Sequence, residues 1–446
     1  MPTLFIPPYV QKALSLLCES GYEAYVVGGA VRDLLRGETA HDYDITTSAT
    51  PDEMKEVFSA YRTIETGIAH GTLTVLSDGV PLEITTYRID GDYTDMRHPD
   101  GVLFTRSLQE DAARRDFTVN AMAYHPSEGI RDFFHGREDL SAKIIRAVGD
   151  PVRRFTEDAL RILRAMRFAA QLDFTIEEET ARAMRTCKNG LLRISVERIR
   201  EEWIKLLCGR GMRRVLTEFG DVLATVLPEC EPLFGFDQKN PHHAFSLWEH
   251  TLRVTENAPA EKHMRLAAFL HDIGKVRCAS FDQNGIGHFY GHAKESEAIA
   301  QEILARLRFD NKTAERVLLL VRYHDTVPEP KTRQFAHFRS RFGDAFLMDW
   351  LALIRADRTG QTPCLSPEKE AILQEAEQAV AHLLAQEERF EKKDLALNGN
   401  DLAAIGVARG KEMGRLLALA FDAVLDGKVQ NEKEALLDFL TKGDLS

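Results

Sequence analysis

The chain has 446 residues, 44% hydrophobic and 28% charged, with a formal net charge of −12. That is too long for one hydrophobic core, so roughly three domains are expected, and the acidic balance excludes indiscriminate nucleic-acid binding by the whole surface while leaving room for a local basic strip. The six cysteines, at 18, 187, 208, 230, 278 and 364, form no CxxC pair, which argues against a disulfide frame or a cysteine zinc site and fits a reducing compartment. MPTLFIPPYVQKAL has neither a basic start nor a long apolar run, and no stretch approaches the ~20 apolar residues of a membrane helix. A cytoplasmic protein with no membrane partner is therefore expected.

Between about residues 22 and 135, short β-branched runs (AYVVG, HGTLTVL, PLEITTY) alternate with helical segments, the pattern of a small α/β palm. The first run, Tyr25 to Val27, leads through Gly28-Gly29 into a helix start carrying Arg32 and Asp33, then into Asp42-Tyr43-Asp44-Ile45. Strand alternation sets Asp42 and Asp44 on one side, where two carboxylates can hold Mg²⁺ beside a triphosphate. Backbone amides of the Gly28-Gly29 turn form an anion cradle, and Arg32 is available for bidentate phosphate contact. Alone, a D-x-D is a solvated strand end and a double glycine is a tight turn; their order here points to nucleotidyl transfer.

Further on, RRDFTVNA places Arg114 and Arg115 where they suit a polyphosphate and Asp116 where it suits a ribose hydroxyl, with Asn120 four residues later. A surface salt bridge is the plain alternative. Past Pro151 long 3.6-period segments dominate. RRFTEDALRILRAMRF predicts a helix on which Asp158, Arg161, Arg164 and Arg167 form one row, with Glu157 and Arg161 as an intrahelical pair. Asp158 can accept from an exocyclic amine while Arg161 donates to a ring acceptor. This matches the Watson–Crick edges of cytosine and adenine, whereas uracil and guanine would turn a carbonyl toward the carboxylate. From 181 to 214 ten basic residues stand against three acidic ones, which reads as a phosphate-tracking face or as a solvated helical surface.

GGAVRD with DYD, RRDFTVNA, DFFHGREDLSAKIIRAVGDP, EDALRILRAMRF and ISVERIREEW occur in the order found in the class II tRNA nucleotidyltransferase and poly(A) polymerase family. The chain resembles that family over nearly its whole length, most of all its bacterial CCA-adding members. The resemblance implies that Asp42 and Asp44 bind catalytic Mg²⁺ in a two-metal mechanism and that Gly29, Arg32, Arg115, Arg164 and Arg167 hold the nucleotide. It implies that Asp158 and Arg161 select CTP and then ATP, with Glu157 orienting the arginine and Glu197 and Arg198 supporting the pocket. TYRIDGDYTDMRHPDGVLFTRS resembles the family's flexible element for the switch to adenosine, which favours an enzyme that reaches the terminal A of tRNA. Poly(A) or A-only addition is the neighbouring alternative.

A second constellation comprises His250, His271-Asp272 in FLHDIGK, His292, His324 and Asp357. It resembles the HD phosphohydrolase superfamily. His250, His271, Asp272 and Asp357 match its four-ligand pattern, and His292 and His324 match the dinuclear extension. The resemblance implies a divalent metal of unknown identity and either hydrolysis of phosphate esters, 2′,3′-cyclic phosphates among them, or an RNA-binding body with vestigial chemistry. His242, His243 and His288 lie nearby without an assigned role. In the tail, Gly406 to Gly414, with Arg409 and Lys411, reads as a phosphate-gripping turn or an ordinary helix connection.

The expected architecture is α+β: a nucleotidyltransferase palm (1–140), a helical neck (141–230), an HD domain (231–370) and a helical, tRNA-binding tail (371–446). An inactive head on an HD hydrolase is the competing reading of a different class. Oligomeric state is left open.

Overall fold

The computed structural model describes residues 4–40, 42–90, 102–241, 243–329, 333–385 and 390–442. Two compact units emerge, residues 1–231 with 305–308, and residues 232–304 with 309–446.

In the first unit, helix α1 (Pro8–Glu19) precedes β1 (Ala24–Val27), α2 (Gly29–Leu35), β2 (Asp44–Thr47), α3 (Pro51–Val57), β3 (Thr63–Ile64), β4 (Thr72–Ser77) and β5 (Val80–Thr86). A separate ribbon, β6 (Arg88–Asp90) and β7 (Val102–Phe104), and helix α4 (Leu108–Ala113) lead to β8 (Ala123–His125), β9 (Gly129–Arg131) and α5 (Gly136–Ala142). The main sheet has seven strands in the order β3-β4-β5-β2-β1-β8-β9. It is mixed, because β2 runs antiparallel to β1 but parallel to β5.

The sheet explains its own sequence. Val26, Ile45, Leu73, Val75, Leu82 and Ile84 point into one core, while Tyr25 and Val27 join Tyr87, Leu108 and Ala123 in a second. With both faces of β1 covered, AYVV is buried throughout and shows no alternation. Where β2 begins, Tyr43 and Ile45 are buried and Asp42 and Asp44 exposed, as alternation requires.

The rest of this unit is helical: α6 (Pro151–Glu157), α7 (Leu160–Leu172), α8 (Glu178–Cys187), α9 (Val196–Leu207) and α10 (Met212–Leu223), with the short pair β10 (Ile144–Ile145) and β11 (Thr175–Ile176). One expectation is corrected here. The sequence pattern predicts an unbroken helix through Asp158, but Asp158 is extended (φ −142°, ψ 103°) and separates α6 from α7. Its carboxylate accepts from the Leu160 amide at 3.0 Å. An aspartate that bonds a nearby backbone N–H competes with the helix ladder, and α6 ends there.

Among the described residues the regular structure of the second unit is helical apart from the β12 (Ser280–Phe281) and β13 (Gly287–His288) hairpin. Its helices are α11 (Leu247–Asn257), α12 (Lys262–Leu270), α13 (His292–Arg306), α14 (Asn311–Tyr323), α15 (Gln334–Phe342), α16 (Asp344–Gln361) and α17 (Pro367–Ala385). After them come α18 (Gly399–Ala404), α19 (Lys411–Leu425) and α20 (Lys433–Lys442), whose buried leucines and Met413 make a small core. Helices α11 and α16 approach closely at Gly360, where a Cβ would lie 2.6 Å from Val254 Cγ2. Among the described residues no helix is long and apolar enough to cross a membrane.

Candidate active site and metal centre

A cavity of about 460 Å³ in the first unit is lined by the Gly28-Gly29 turn, Asp44, residues of the RRD segment and the start of α7. Gly28 adopts φ +74°, a conformation that L side chains rarely take, and Arg115 Nη1 lies 3.6 Å from where its Cβ would be. The glycine thus makes the turn and lets a guanidinium lie close to the backbone.

At one side stand the carboxylates. Asp44 on β2 is the direct partner of Glu83 on β5 in the parallel ladder, and both are exposed on the face opposite Ile45 and Ile84. Burial, followed by the charges of Glu83 and Asp42, pushes the Asp44 carboxyl above its ordinary value, with Arg115 pulling the other way. Like charges directly opposite on a sheet repel. Oxygen donors suit a hard divalent cation, though among the described residues these carboxylates do not converge within one ligand sphere as the second unit's clusters do.

The other wall is a set of arginines, each oriented by an acid. Arg32 donates to Asp33 at 2.8 and 3.0 Å and to Asn120 Oδ1 at 2.7 Å. Asn120 donates to Asp116 at 3.3 Å, and Asp116 receives Arg164 at 2.9 and 2.5 Å. Burial alone would raise the Asp116 carboxyl, yet the Arg164 charge and hydrogen bonds hold it below the ordinary range. Arg167 pairs with Glu202 at 2.9 Å, and Phe168 lies under Arg32, Arg164 and Arg167 at 5.4, 5.4 and 4.0 Å. A row of guanidiniums held this way is preorganised for a polyphosphate.

Arg161, 9% exposed, is fixed by three acceptors: Glu157 Oε2 at 2.7 Å, the Arg154 carbonyl at 3.1 Å and the Arg114 carbonyl at 3.1 Å. Asp158, freed from the helix, ion-pairs with Arg198 Nη2 at 2.7 Å. Glu157, Asp158 and Arg161 therefore do meet, through a helix break and not along a helix face.

The basic strip from 181 to 214 is more neutral than its composition implies. Arg182 faces Glu178 and Glu179, Arg185 and Lys188 share Asp221, Arg198 takes Asp158 and Arg214 takes Asp173. Those acids fall outside the sequence window, and long-range pairing hides them from a local count.

In the second unit His250, His271, Asp272 and Asp357 bring one ligand atom each within 4.8 Å of one another, and Asp272, His292 and His324 do the same. Asp272 belongs to both groups. Its Oδ2 lies 3.1 Å from both His250 Nε2 and His271 Nε2, and its Oδ1 lies 3.3 and 3.4 Å from His292 Nε2 and His324 Nε2.

All four imidazoles have Nδ1 on a backbone carbonyl, of Gly360, Ala268, Phe289 and Val321, at 3.2, 2.7, 2.8 and 2.7 Å. Donation there leaves each Nε2 as a lone pair facing inward. Lone pairs 3.2 Å apart (His250 and His271) and 3.1 Å apart (His292 and His324) call for a cation between them. Both buried Asp272 oxygens lack a well-aligned hydrogen-bond donor. Burial works against a charged His271, but Asp272 and Asp357 push it up to about 10. Lys275 Nζ, 2.7 Å from Asp272 Oδ2, answers part of that charge, a proton or a metal ion among the imidazoles answers the rest, and the N/O donor set fits a divalent transition metal or zinc.

The family described as "Poly A polymerase head domain" matches residues 24–146, that described as "Probable RNA and SrmB- binding site of polymerase A" matches 173–232, and that described as "tRNA nucleotidyltransferase domain 2 putative" matches 285–440. The CCA-adding enzyme of Levilactobacillus brevis is 36% identical over 433 residues, 96% of each chain, and that of Enterococcus faecalis is 34% identical over 98% of this chain and 97% of its own. This chain belongs to the CCA-adding enzyme family. The crystal structure of the Bacillus stearothermophilus CCA-adding enzyme in complex with CTP shares its fold, with a TM-score of 0.73 and 30% identity over 98% of each chain.

The chain is thus a nucleotidyltransferase, and its structure brings to the candidate site residues that sequence reading passed over. Glu83 sits in PLEITTY, and only the register with β2 places it opposite Asp44. Asp111, fully buried, accepts from Arg114 at 2.9 and 2.8 Å, from Arg115 at 3.4 Å and from Thr46 at 3.1 Å, and so seats both arginines. Its i−3 and i−4 spacing to them was the available signal. Phe168 and Glu202 announce nothing in sequence. Residues 91–101, which hold Asp92, Asp95 and Arg97 of the segment resembling the family's flexible element, lie outside the described residues, as do His41 and His242.

Proposed function

We propose that this chain adds C, C and A to the 3′ end of tRNA from CTP and ATP without a template. The observation that carries the reading is Arg161, clamped by Glu157 and two carbonyls beside the carboxylate of Asp158. Two of the five guanidinium N–H donors, on Nε and Nη2, remain for a ligand. They fit the ring acceptor of cytosine or adenine while Asp158 takes the exocyclic amine. Uracil and guanine offer an N–H and a carbonyl in those places, so both contacts are lost.

In this reading Gly29, Arg32, Arg115, Arg164 and Arg167 hold the triphosphate, with Asp116 and Asn120 positioning two of those arginines. Asp42, Asp44 and Glu83 hold Mg²⁺, which when bound neutralises the phosphates and acidifies the 3′-hydroxyl. The tRNA 3′ oxygen bonds to the α-phosphorus as pyrophosphate leaves, and the side chains contribute position and charge. The names of the relatives and the CTP complex of the Bacillus enzyme support this assignment. The domain scheme that goes with it has a head (1–140), a neck (141–230), an HD body (231–370) and a tail (371–446) that measures the tRNA.

Incubating the protein with Mg²⁺, tRNA lacking its 3′ end and labelled CTP or ATP tests it. Incorporation of C before A is expected; long A tails, or no uptake of CTP, would favour a poly(A) or A-adding enzyme. No incorporation at all would leave an HD hydrolase with an inactive head.

A second activity is supported by the bridging Asp272 and the four Nδ1-tethered histidines. We infer that this centre hydrolyses phosphate esters, 2′,3′-cyclic phosphates included: the oxygen of water bonds to phosphorus, one P–O ester bond breaks, and the leaving oxygen takes a proton. A bound divalent ion supplies Lewis acidity there. Asp42→Ala is expected to keep this activity and His271→Ala to lose it; the reverse would sink the idea of two independent sites.

A further inference from the structure

A cavity of about 420 Å³ opens on the second unit's metal-ligand clusters, with His324 of one and Asp357 of the other in its wall. That volume falls within the roughly 300–1,000 Å³ of small-molecule sites. It accommodates one nucleotide and not a duplex.

Two cations line it. Arg358 follows Asp357 on α16 and is half-buried, yet its guanidinium has no hydrogen-bond or ion-pair partner among the described residues. Lys369 on α17 is likewise half-buried, and its ammonium has no partner among the described residues. Nearly every other arginine of the functional sites has a carboxylate. The neighbouring Asp357 charge offsets that burial only in part, and a guanidinium withdrawn from water without a hydrogen-bonded counter-ion is costly unless an anion arrives to meet it. Val327, Ile354 and Ile372 form an apolar stretch of the same cavity, with Val327 59% and Ile372 40% exposed.

Resting on the hydrolytic reading of this centre, we propose that Arg358 and Lys369 clamp the substrate phosphate, and that the substrate is a mononucleotide or the terminal nucleotide of a chain, its nucleoside lying on the Val327 and Ile372 shelf. The clamp sets the phosphorus against the ligand clusters. It also explains why two cations line a cavity that already borders a metal-ligand set: a phosphate oxyanion needs donors on the side turned away from the ions.

The full-length, metal-loaded protein is used for the test, with 2′,3′-cyclic AMP and bis(p-nitrophenyl) phosphate as probes. Arg358→Ala is expected to raise KM for cyclic AMP by at least about tenfold, the loss of one charge-assisted contact, with a smaller effect on kcat. Arg358→Lys should restore part of it, and Lys369→Ala should raise KM in the same direction. Metal content, measured by elemental mass spectrometry, should stay at the wild-type value in every variant. The p-nitrophenyl diester, which lacks a nucleoside, should be less sensitive to enlarging Val327 or Ile372 than the cyclic nucleotide.

A readout independent of turnover is phenylglyoxal modification of Arg358, mapped by peptide mass spectrometry, which inorganic phosphate should slow in the wild type and slow less in Lys369→Ala. Unchanged KM in both alanine variants, or modification indifferent to phosphate, overturns the clamp. If no probe is hydrolysed, the hydrolytic reading fails and phosphate protection alone decides whether the clamp exists.

Discussion

Asp44 and Glu83 face each other directly across two parallel strands, both exposed on the sheet face that turns away from the main core. Withdrawal of the carboxyl from water, and then the charges of Glu83 and Asp42, hold Asp44 above its ordinary value. The strain is relieved by a proton or by a cation, so the site is built to be completed by an ion.

Replacing Asp44 by Asn should therefore separate stability from activity. A raised folded-state pKa means that the ionised form costs stability above that pKa, a cost that vanishes as pH falls through it. Asp44→Asn removes the cost at neutral pH. A gain of about 0.2–1 kcal/mol is expected, the range for one cross-strand like-charge pair, together with loss of nucleotide transfer. Thermal melts with and without Mg²⁺ check it: the ion should raise the midpoint of the wild type and leave the variant unmoved. A variant less stable than the wild type would argue against repulsion at this pair.

In the proposed reading, base selection rests on the break between α6 and α7. Asp158→Ala and Arg161→Ala should each reduce discrimination between CTP and UTP by about 10- to 100-fold, the value of one bidentate base contact, while triphosphate affinity falls less, because Arg32, Arg164 and Arg167 keep their own carboxylate or amide partners. Glu157→Gln should have a milder effect, since two carbonyls still hold Arg161. Steady-state kinetics with all four nucleotides decide it, and an equal loss for all four would refute base reading.

That break marks where sequence reasoning stops. Alternation gave the exposure of Asp42 and Asp44 because it depends on two residues and one strand. The 3.6 period carried a helix through Asp158 because a periodic pattern does not register a capping aspartate whose second partner, Arg198, lies 40 positions away. Glu83 and Glu202 became visible only when register and tertiary packing brought them to an aspartate or an arginine. The six His and Asp candidates of the second unit were legible one by one, but not the place of Asp272 in both clusters, which depends on the helices meeting.

Asp111 and Asp116 should govern acid stability of the first unit. Burial raises both carboxyls, but Arg114 and Arg115 for the one and Arg164 for the other bring them below the ordinary value, which is about 3.9. With depressed folded-state values, each contributes stability that is complete above the unfolded pKa and is lost as pH falls through the folded one. Urea unfolding should therefore show stability holding to about pH 4 and falling below it. Asp116→Asn should flatten that fall, and Asp111→Ala, which strands two arginines, should cost about 3–5 kcal/mol at neutral pH.

The His and Asp clusters of the second unit predict that a bound metal ion stabilises it. Four buried histidines and Asp272 converge with Nε2 atoms about 3.1–3.2 Å apart, an arrangement that is repulsive when all are neutral. An ion that binds the folded chain stabilises it by mass action, by about 2.7 kcal/mol at a hundredfold excess over its dissociation constant. Prolonged chelation followed by calorimetry is expected to lower the melting transition of this unit while the first unit's transition, measured without Mg²⁺ throughout, stays in place. Restoring zinc, manganese or cobalt should recover it, and the metal giving the largest recovery is the one whose geometry the site favours. His292→Ala should lose only part of the effect, because His250, His271, Asp272 and Asp357 remain as a four-ligand set; His271→Ala should lose most of it. Equal loss in the two variants would mean that the ions bind as one inseparable pair bridged by Asp272.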